Sequence, residues 1–81
     1  MKLPRDLSGE DLAKKLSTLG YRITRQTGSH LRLTTTEQGQ HHITIPNHPS
    51  LRIGTLSSVL SDVADHFEIS KDELMIRLFG K

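Results

Sequence analysis

At Gly20 the apolar residues of this chain change their spacing, from every third or fourth position before it to every second position after it. Leu12, Leu16 and Leu19 recur as one helical stripe, while Lys14, Lys15 and Ser17 fall elsewhere on the surface. Ser8-Gly9-Glu10-Asp11 marks the start, because a serine hydroxyl can take an orphan amide while an acid three residues on reciprocates. Leu7 and Leu12 stand at the positions of a hydrophobic staple, and Gly20 supplies a left-handed stop. This predicts a helix from about Gly9 to Leu19.

Beyond Gly20, Tyr21 and Ile23 alternate with Arg22 and Thr24. After a turn at Thr27-Gly28, Leu31 and Leu33 alternate with His30, Arg32 and Thr34. A second turn, Glu37-Gln38-Gly39-Gln40, leads into His41-His42-Ile43-Thr44-Ile45, closed by Pro46 and Pro49. Three antiparallel strands joined by hairpins follow from this pattern. Their apolar positions make one face for helices to cover, and Arg22, Thr24, His30, Arg32, Thr34, His42 and Thr44 make the opposite, polar and basic face. A one-residue slip, or a bulge at Gly28, would carry His30 to the other face. The stated register is favoured because each buried leucine or isoleucine contributes ~1.5–3 kcal/mol, whereas an unpartnered histidine in a core is costly.

Leu56, Val59, Leu60, Val63 and Phe67 then repeat at three and four residues, predicting a helix from about Thr55 to His66 with Gly54 or Thr55 as its cap. Ser70-Lys71-Asp72-Glu73 reads as a second capping box, and Leu74, Leu78 and Met75 give a third helix an apolar stripe. The fold class is α+β, ordered α-β-β-β-α around a three-stranded antiparallel sheet, with an extra C-terminal helix. One domain is expected over 1–81, with its core at 7–67 and the additional helix at 71–79. Eighty-one residues suffice for one small core.

The absence of cysteine excludes a disulfide framework and thiolate metal sites. Met1 to Asp6 lacks the apolar stretch of a signal peptide and no segment is long enough to span a bilayer, so a cytoplasmic location is expected. The net charge of +2 is small but unevenly spread. From Leu12 to Leu60 there are six bases (Lys14, Lys15, Arg22, Arg25, Arg32, Arg52) against the single acid Glu37, with four of the five histidines. After Leu60, Asp62, Asp65, Glu68, Asp72 and Glu73 outnumber Lys71, Arg77 and Lys81. The first stretch is suited to a polyanion and the last should face away from one.

Gly28-Ser29-His30 is the candidate for chemistry. A histidine handed to the start of a strand from a tight turn, with Arg22, Arg25 and Arg32 nearby, can meet a phosphate and move protons near neutral pH. Cleaving RNA without a metal requires the ribose 2′-hydroxyl to lose a proton as it attacks, the leaving oxygen to gain one, and the developing charge to be stabilised. One imidazole can serve one transfer, and guanidinium forks can hold the phosphate. The amides of Gly28 and Ser29 could add an anion nest. Against this, a histidine after a glycine turn is more often an ordinary surface residue, and Ser29 a turn former. His41-His42 does not suggest a metal site, since adjacent strand residues point to opposite faces and neither cysteines nor acids lie near. His48 stands in a loop between Asn47 and Pro49, where it could contact RNA.

Four short motifs, Gly20-Tyr21-Arg22, Arg25 to Gly28-Ser29-His30, Ile43-Thr44-Ile45-Pro46-Asn47-His48 and Ile53-Gly54-Thr55-Leu56, stand in an order and spacing that resembles the HicA family of toxin–antitoxin ribonucleases. The resemblance covers roughly Leu7 to Val63. It implies a fold like that of double-stranded-RNA-binding domains, an mRNA interferase activity without metal or cofactor, and a HicB-type antitoxin as partner. It implies His30 as the catalytic histidine; the residues themselves offer Arg22, Arg25, Gly28, Ser29, Arg32 and His48 as RNA-binding candidates beside it. The chain departs from the family pattern at Thr27, where a basic residue is common, at Leu31, where a second histidine is common, and at the uncharged Ser57-Ser58 of the second helix. A non-catalytic RNA-binding module of the same fold is the alternative; it would need the phosphate contacts but not His30. A pure interaction subunit would tolerate loss of both.

Overall fold

Ser8 opens α1 (Gly9–Leu16) through the reciprocal bonds that its spacing predicts: the Asp11 amide donates to Ser8 Oγ at 2.9 Å and the Ser8 amide to Asp11 Oδ2 at 3.3 Å. The structure, a computed structural model, describes residues 3–80; Met1, Lys2 and Lys81, which the expected span 1–81 and the charge balance include, lie outside the described residues. Ser17–Leu19 continues α1 as a 3₁₀ turn, not as the α-helix expected to Leu19. The hydroxyls of Ser17 and Thr18 take the carbonyls of Lys14 and Lys15 and compete there with the helical ladder.

Gly20 ends this segment at φ 85, where an L side chain is strained. A Cβ there would come within 2.6 Å of Glu37 Cγ and 2.8 Å of Thr35 Oγ1. Thr35 is the buried polar residue of the core, and its hydroxyl donates to the Leu19 carbonyl at 3.0 Å while accepting from the Glu37 amide at 3.1 Å. One threonine therefore locks the helix exit to the hairpin after the central strand.

The strands β1 (Arg22–Gln26), β2 (His30–Thr35) and β3 (His41–Pro46) form an antiparallel sheet in the order β1-β2-β3. Leu31 lies opposite Ile45 and Leu33 opposite Ile43, and all four are buried under the helices. α2 (Ile53–Phe67) and α3 (Lys71–Phe79) complete the chain, and Leu74, Met75 and Leu78 of α3 join the same core as α1, α2 and the sheet.

Several expectations need correction. The plain alternation expected through β1 is broken by a register shift at Thr24, so that Ile23 faces Leu33 but the next pair is Arg25 with Arg32, while His30 keeps its expected face. Ile23 does point to the covered face, yet it stays 46% exposed because α1 and α2 lie against β3 and leave the edge strand bare. α2 starts at Ile53 after Arg52, which makes no side-chain cap bond, so neither Gly54 nor Thr55 is its cap. At α3 only half of the expected capping box forms. Ser70 Oγ accepts from the Glu73 amide at 3.0 Å, but the Glu73 carboxylate turns to Arg77 at 2.6 Å, one helical turn on.

Gly20→Ala is expected to lower the unfolding free energy by at least ~1–2 kcal/mol, the cost of a left-handed L residue, with the clash against Thr35 in addition. Gly28→Ala, whose added Cβ would meet nothing within 4 Å, is expected to leave stability unchanged. Urea unfolding of the two variants beside the parent protein checks both.

Candidate functional site

Thr27 builds the turn that delivers His30. Its Oγ1 accepts from the His30 amide at 3.0 Å and the Ser29 amide at 3.4 Å, and its own amide donates to the His30 carbonyl at 2.9 Å. The Asn47 amide, just past β3, donates to the Ser29 carbonyl at 2.9 Å and ties the turn to the far strand. Of the two amides offered for an anion nest, that of Ser29 is already engaged by the threonine hydroxyl.

His30 then opens β2 opposite Pro46, exposed on the uncovered face of the sheet. Ser29 Oγ lies 3.0 Å from its Nδ1, and Nε2 has no protein partner among the described residues. The ring is thereby oriented by its neighbour and leaves one nitrogen for a ligand.

The rest of this face is polar and contains no carboxylate, since none of the three strands carries an Asp or Glu. Thr24 Oγ1 and Thr34 Oγ1 are 3.0 Å apart, and Thr34 Oγ1 is 2.8 Å from His42 Nδ1, so a hydrogen-bonded row crosses all three strands. The bulge at Thr24 turns Arg25 to this face directly opposite Arg32. Like charges in such a pair repel. Neither guanidinium, nor that of Arg22, has a carboxylate partner among the described residues, where the ion pairs are His41–Asp62 and Glu73–Arg77. Two exposed guanidiniums abreast on a sheet, without a carboxylate partner, can hold an anion.

The other sequence candidates divide between two places. Arg22, opposite Thr34 at the sheet edge, also lines a cleft of about 400 Å³ between α1 and β1 with Glu10, Lys14 and Ile23. His48 is not brought to His30; it lines a separate hollow with Ser8, Glu10, Asn47 and Pro49. Gly28 stands in open space.

His41 and His42 do point to opposite faces. Tyr21, fully buried, lies 2.7 Å from His41 Nδ1 through its hydroxyl, and His41 Nε2 lies 3.3 Å from Asp62 Oδ1. Burial pushes the Tyr21 pKa up and the Asp62 carboxylate adds to this, so the phenol stays protonated and donates to the imidazole. His41 also stacks on His66 at 4.4 Å between ring centroids, and His66 Nε2 donates to the Glu37 carbonyl at 2.9 Å. This cluster joins β3 to α2 and lies apart from His30.

Three residues have a place here that was not assigned to them from sequence. Thr27 acts as a cap, which a Thr-Gly-Ser run permits but does not require. Thr55 and Ser58 of α2 share with His30, Thr44 and Pro46 a hollow beside the strand ends; one helical turn separates them, and nothing in their spacing links them to His30.

No helix among the described residues is long and apolar enough to cross a membrane. No curated protein and no solved structure matches the chain. A family model described as the HicA toxin of bacterial toxin-antitoxin systems does match, over residues 9–64, which takes in α1, the whole sheet with the His30 turn and most of α2, and leaves α3 outside. With a match across most of its length, the chain belongs to the HicA family of toxins of bacterial toxin–antitoxin systems.

Proposed function

We propose that this toxin is a metal-independent endoribonuclease that cleaves messenger RNA in the cytoplasm with His30 as its catalytic residue, and that a HicB-type antitoxin holds it inactive. The observation that carries the reading is the exposed His30, oriented by Ser29 on a carboxylate-free face that also presents Arg25 and Arg32 side by side.

The chemistry follows from that arrangement. When the Nδ1 proton is donated to Ser29 Oγ, Nε2 holds the free electron pair. Nε2 takes the proton of a ribose 2′-hydroxyl as that oxygen bonds to the adjacent phosphorus, and the bond from phosphorus to the 5′-oxygen breaks. A proton from water completes the leaving hydroxyl. Arg25 and Arg32 hold the phosphate and offset the charge that grows on its oxygens, and their mutual repulsion falls when the anion arrives. Ser29 is a positioning residue. Arg22 continues the phosphate track at the sheet edge, Gly28 lets backbone and phosphate approach closely, and His48, in its separate hollow, contacts RNA away from the cleaved bond.

Purified His30→Ala protein is expected to lose cleavage by ~10²–10⁴-fold while its stability moves by less than about 0.5 kcal/mol, since the side chain is exposed. The parent activity is expected to persist in EDTA, as cleavage by an imidazole and two guanidiniums without a metal requires. Wild-type cleavage by His30→Ala would reassign catalysis to another residue, His42 or His48 first, whereas a parent protein that binds RNA without cutting it would favour the non-catalytic RNA-binding reading.

Arg25→Gln and Arg32→Gln are each expected to weaken binding of single-stranded RNA of any sequence. Each should flatten the slope of log K against log salt by about 0.7, one phosphate contact for each arginine. Neither should lower the melting temperature, because each removes a repelling charge. A loss restricted to one RNA sequence, with the salt slope unchanged, would contradict the assignment.

A further inference from the structure

Hydroxyl side chains of the three strands, the turn before β2 and the first turns of α2 fall into two sets. Those of Thr24, Thr27, Ser29, Thr34 and Thr35 are engaged in hydrogen bonds within the protein. Those of Thr44, Thr55 and Ser58 have no partner among the described residues, and these three line one hollow of about 460 Å³ with His30, Pro46 and Gly54. That volume lies within the ~300–1,000 Å³ of small-ligand sites. Apart from His30, no ionisable side chain lines it.

Gly54 adds an independent sign. It stands in the first turn of α2, where glycine weakens a helix by ~1 kcal/mol relative to alanine, yet its φ is not positive and a Cβ there would meet nothing within 4 Å. Internal packing gives no reason for the glycine. The space that it leaves open belongs to the hollow.

Resting on the cleavage reading above, we propose that this hollow is the nucleoside subsite, receiving the ribose and base that adjoin the cleaved phosphate and setting the sequence preference of the toxin. His30 is common to the hollow and to the open sheet face, so a strand whose phosphate is at His30 has the arginines on one side and a neutral, hydroxyl-lined recess on the other. The charged backbone is matched by Arg25 and Arg32. The uncharged sugar and base are matched by free hydroxyls, which can donate to and accept from base edges and the 2′-hydroxyl, and by the Pro46 ring as an apolar wall. The hydroxyls of the hollow would exchange only water for a nucleoside, whereas the sheet hydroxyls would first have to leave their protein partners.

The test separates binding from cleavage. In the His30→Ala background, so that no RNA is cut, the affinity of fluorescein-labelled single-stranded RNA oligonucleotides differing at one central dinucleotide is measured for three proteins: the His30→Ala parent, the same protein with Ser58→Leu, which fills the hollow, and the same protein with Thr55→Val, which removes one hydroxyl at nearly constant shape. Thr55→Val is expected to weaken the preferred RNA by ~2–10-fold, the value of one hydrogen bond, and Ser58→Leu by at least as much. Both should narrow the difference between preferred and poor dinucleotides, leave the salt slope unchanged and leave the melting temperature within error. Unaltered affinity and preference in both folded variants overturn the subsite. A wild-type protein that fails to cut RNA overturns the cleavage reading separately, and the binding comparison then still decides whether the hollow holds a nucleoside.

Discussion

The alternation of β2 is the constraint on which the rest of this molecule depends. Leu31, Leu33 and Thr35 point down and are buried, and His30, Arg32 and Thr34 point up and are exposed or partly so. A chain of this size has enough apolar surface to cover one side of a three-stranded sheet, and α1, α2 and α3 are all spent on that side. The other side is left open by all three helices of the described residues. A shift of β2 by one residue would bury an arginine and a histidine and expose two leucines, so the same free energy that forms the core also presents the site.

Around this strand the molecule is fastened by a few polar joints, each at a place where backbone groups would otherwise be unpaired. Thr35 ties the exit of the first helical segment to the hairpin after β2, and Gly20 gives it room. Tyr21, His41 and Asp62 join β1's approach, the start of β3 and the middle of α2 by a short chain of hydrogen bonds, with His66 stacked beside it. Thr27 and Asn47 fasten the turn before β2 to the end of β3. These joints close the loops that flank the open face and so fix the backbone that carries its side chains.

The open face itself carries features that work against stability. Arg25 faces Arg32 with no carboxylate near, Gly54 sits in a helix without a packing reason, and three hydroxyls around His30 lack partners. Departures from local consistency that cluster in one region are expected at functional surfaces. All of them lie on or beside the surface that carries His30, and the acidic residues of the C-terminal segment lie on the helices that cover the other side.

The sequence by itself determined which elements form, which face of the sheet is covered and which residues stand on the face with His30. Those outcomes depend on period, capping and left-handed stops, which are local: Ser8 with Asp11, Gly20, and the alternation through Leu31 and Leu33 all act within a few residues. What only the tertiary structure decided depends on groups distant along the chain. The bulge at Thr24, which brings Arg25 abreast of Arg32, is a property of pairing between two strands, and no residue near Thr24 announces it. The exposure of Ile23 follows from where the helices end over the sheet, and the start of α2 at Ile53 from a cap that no side chain supplies. The hollow beside His30 exists because α2 crosses near the ends of β2 and β3, which brings Thr55 and Ser58 to a histidine more than twenty positions earlier. Period and capping act through neighbours along the chain, whereas juxtaposition is set by packing the helices over the sheet, and a single sequence carries no direct record of it.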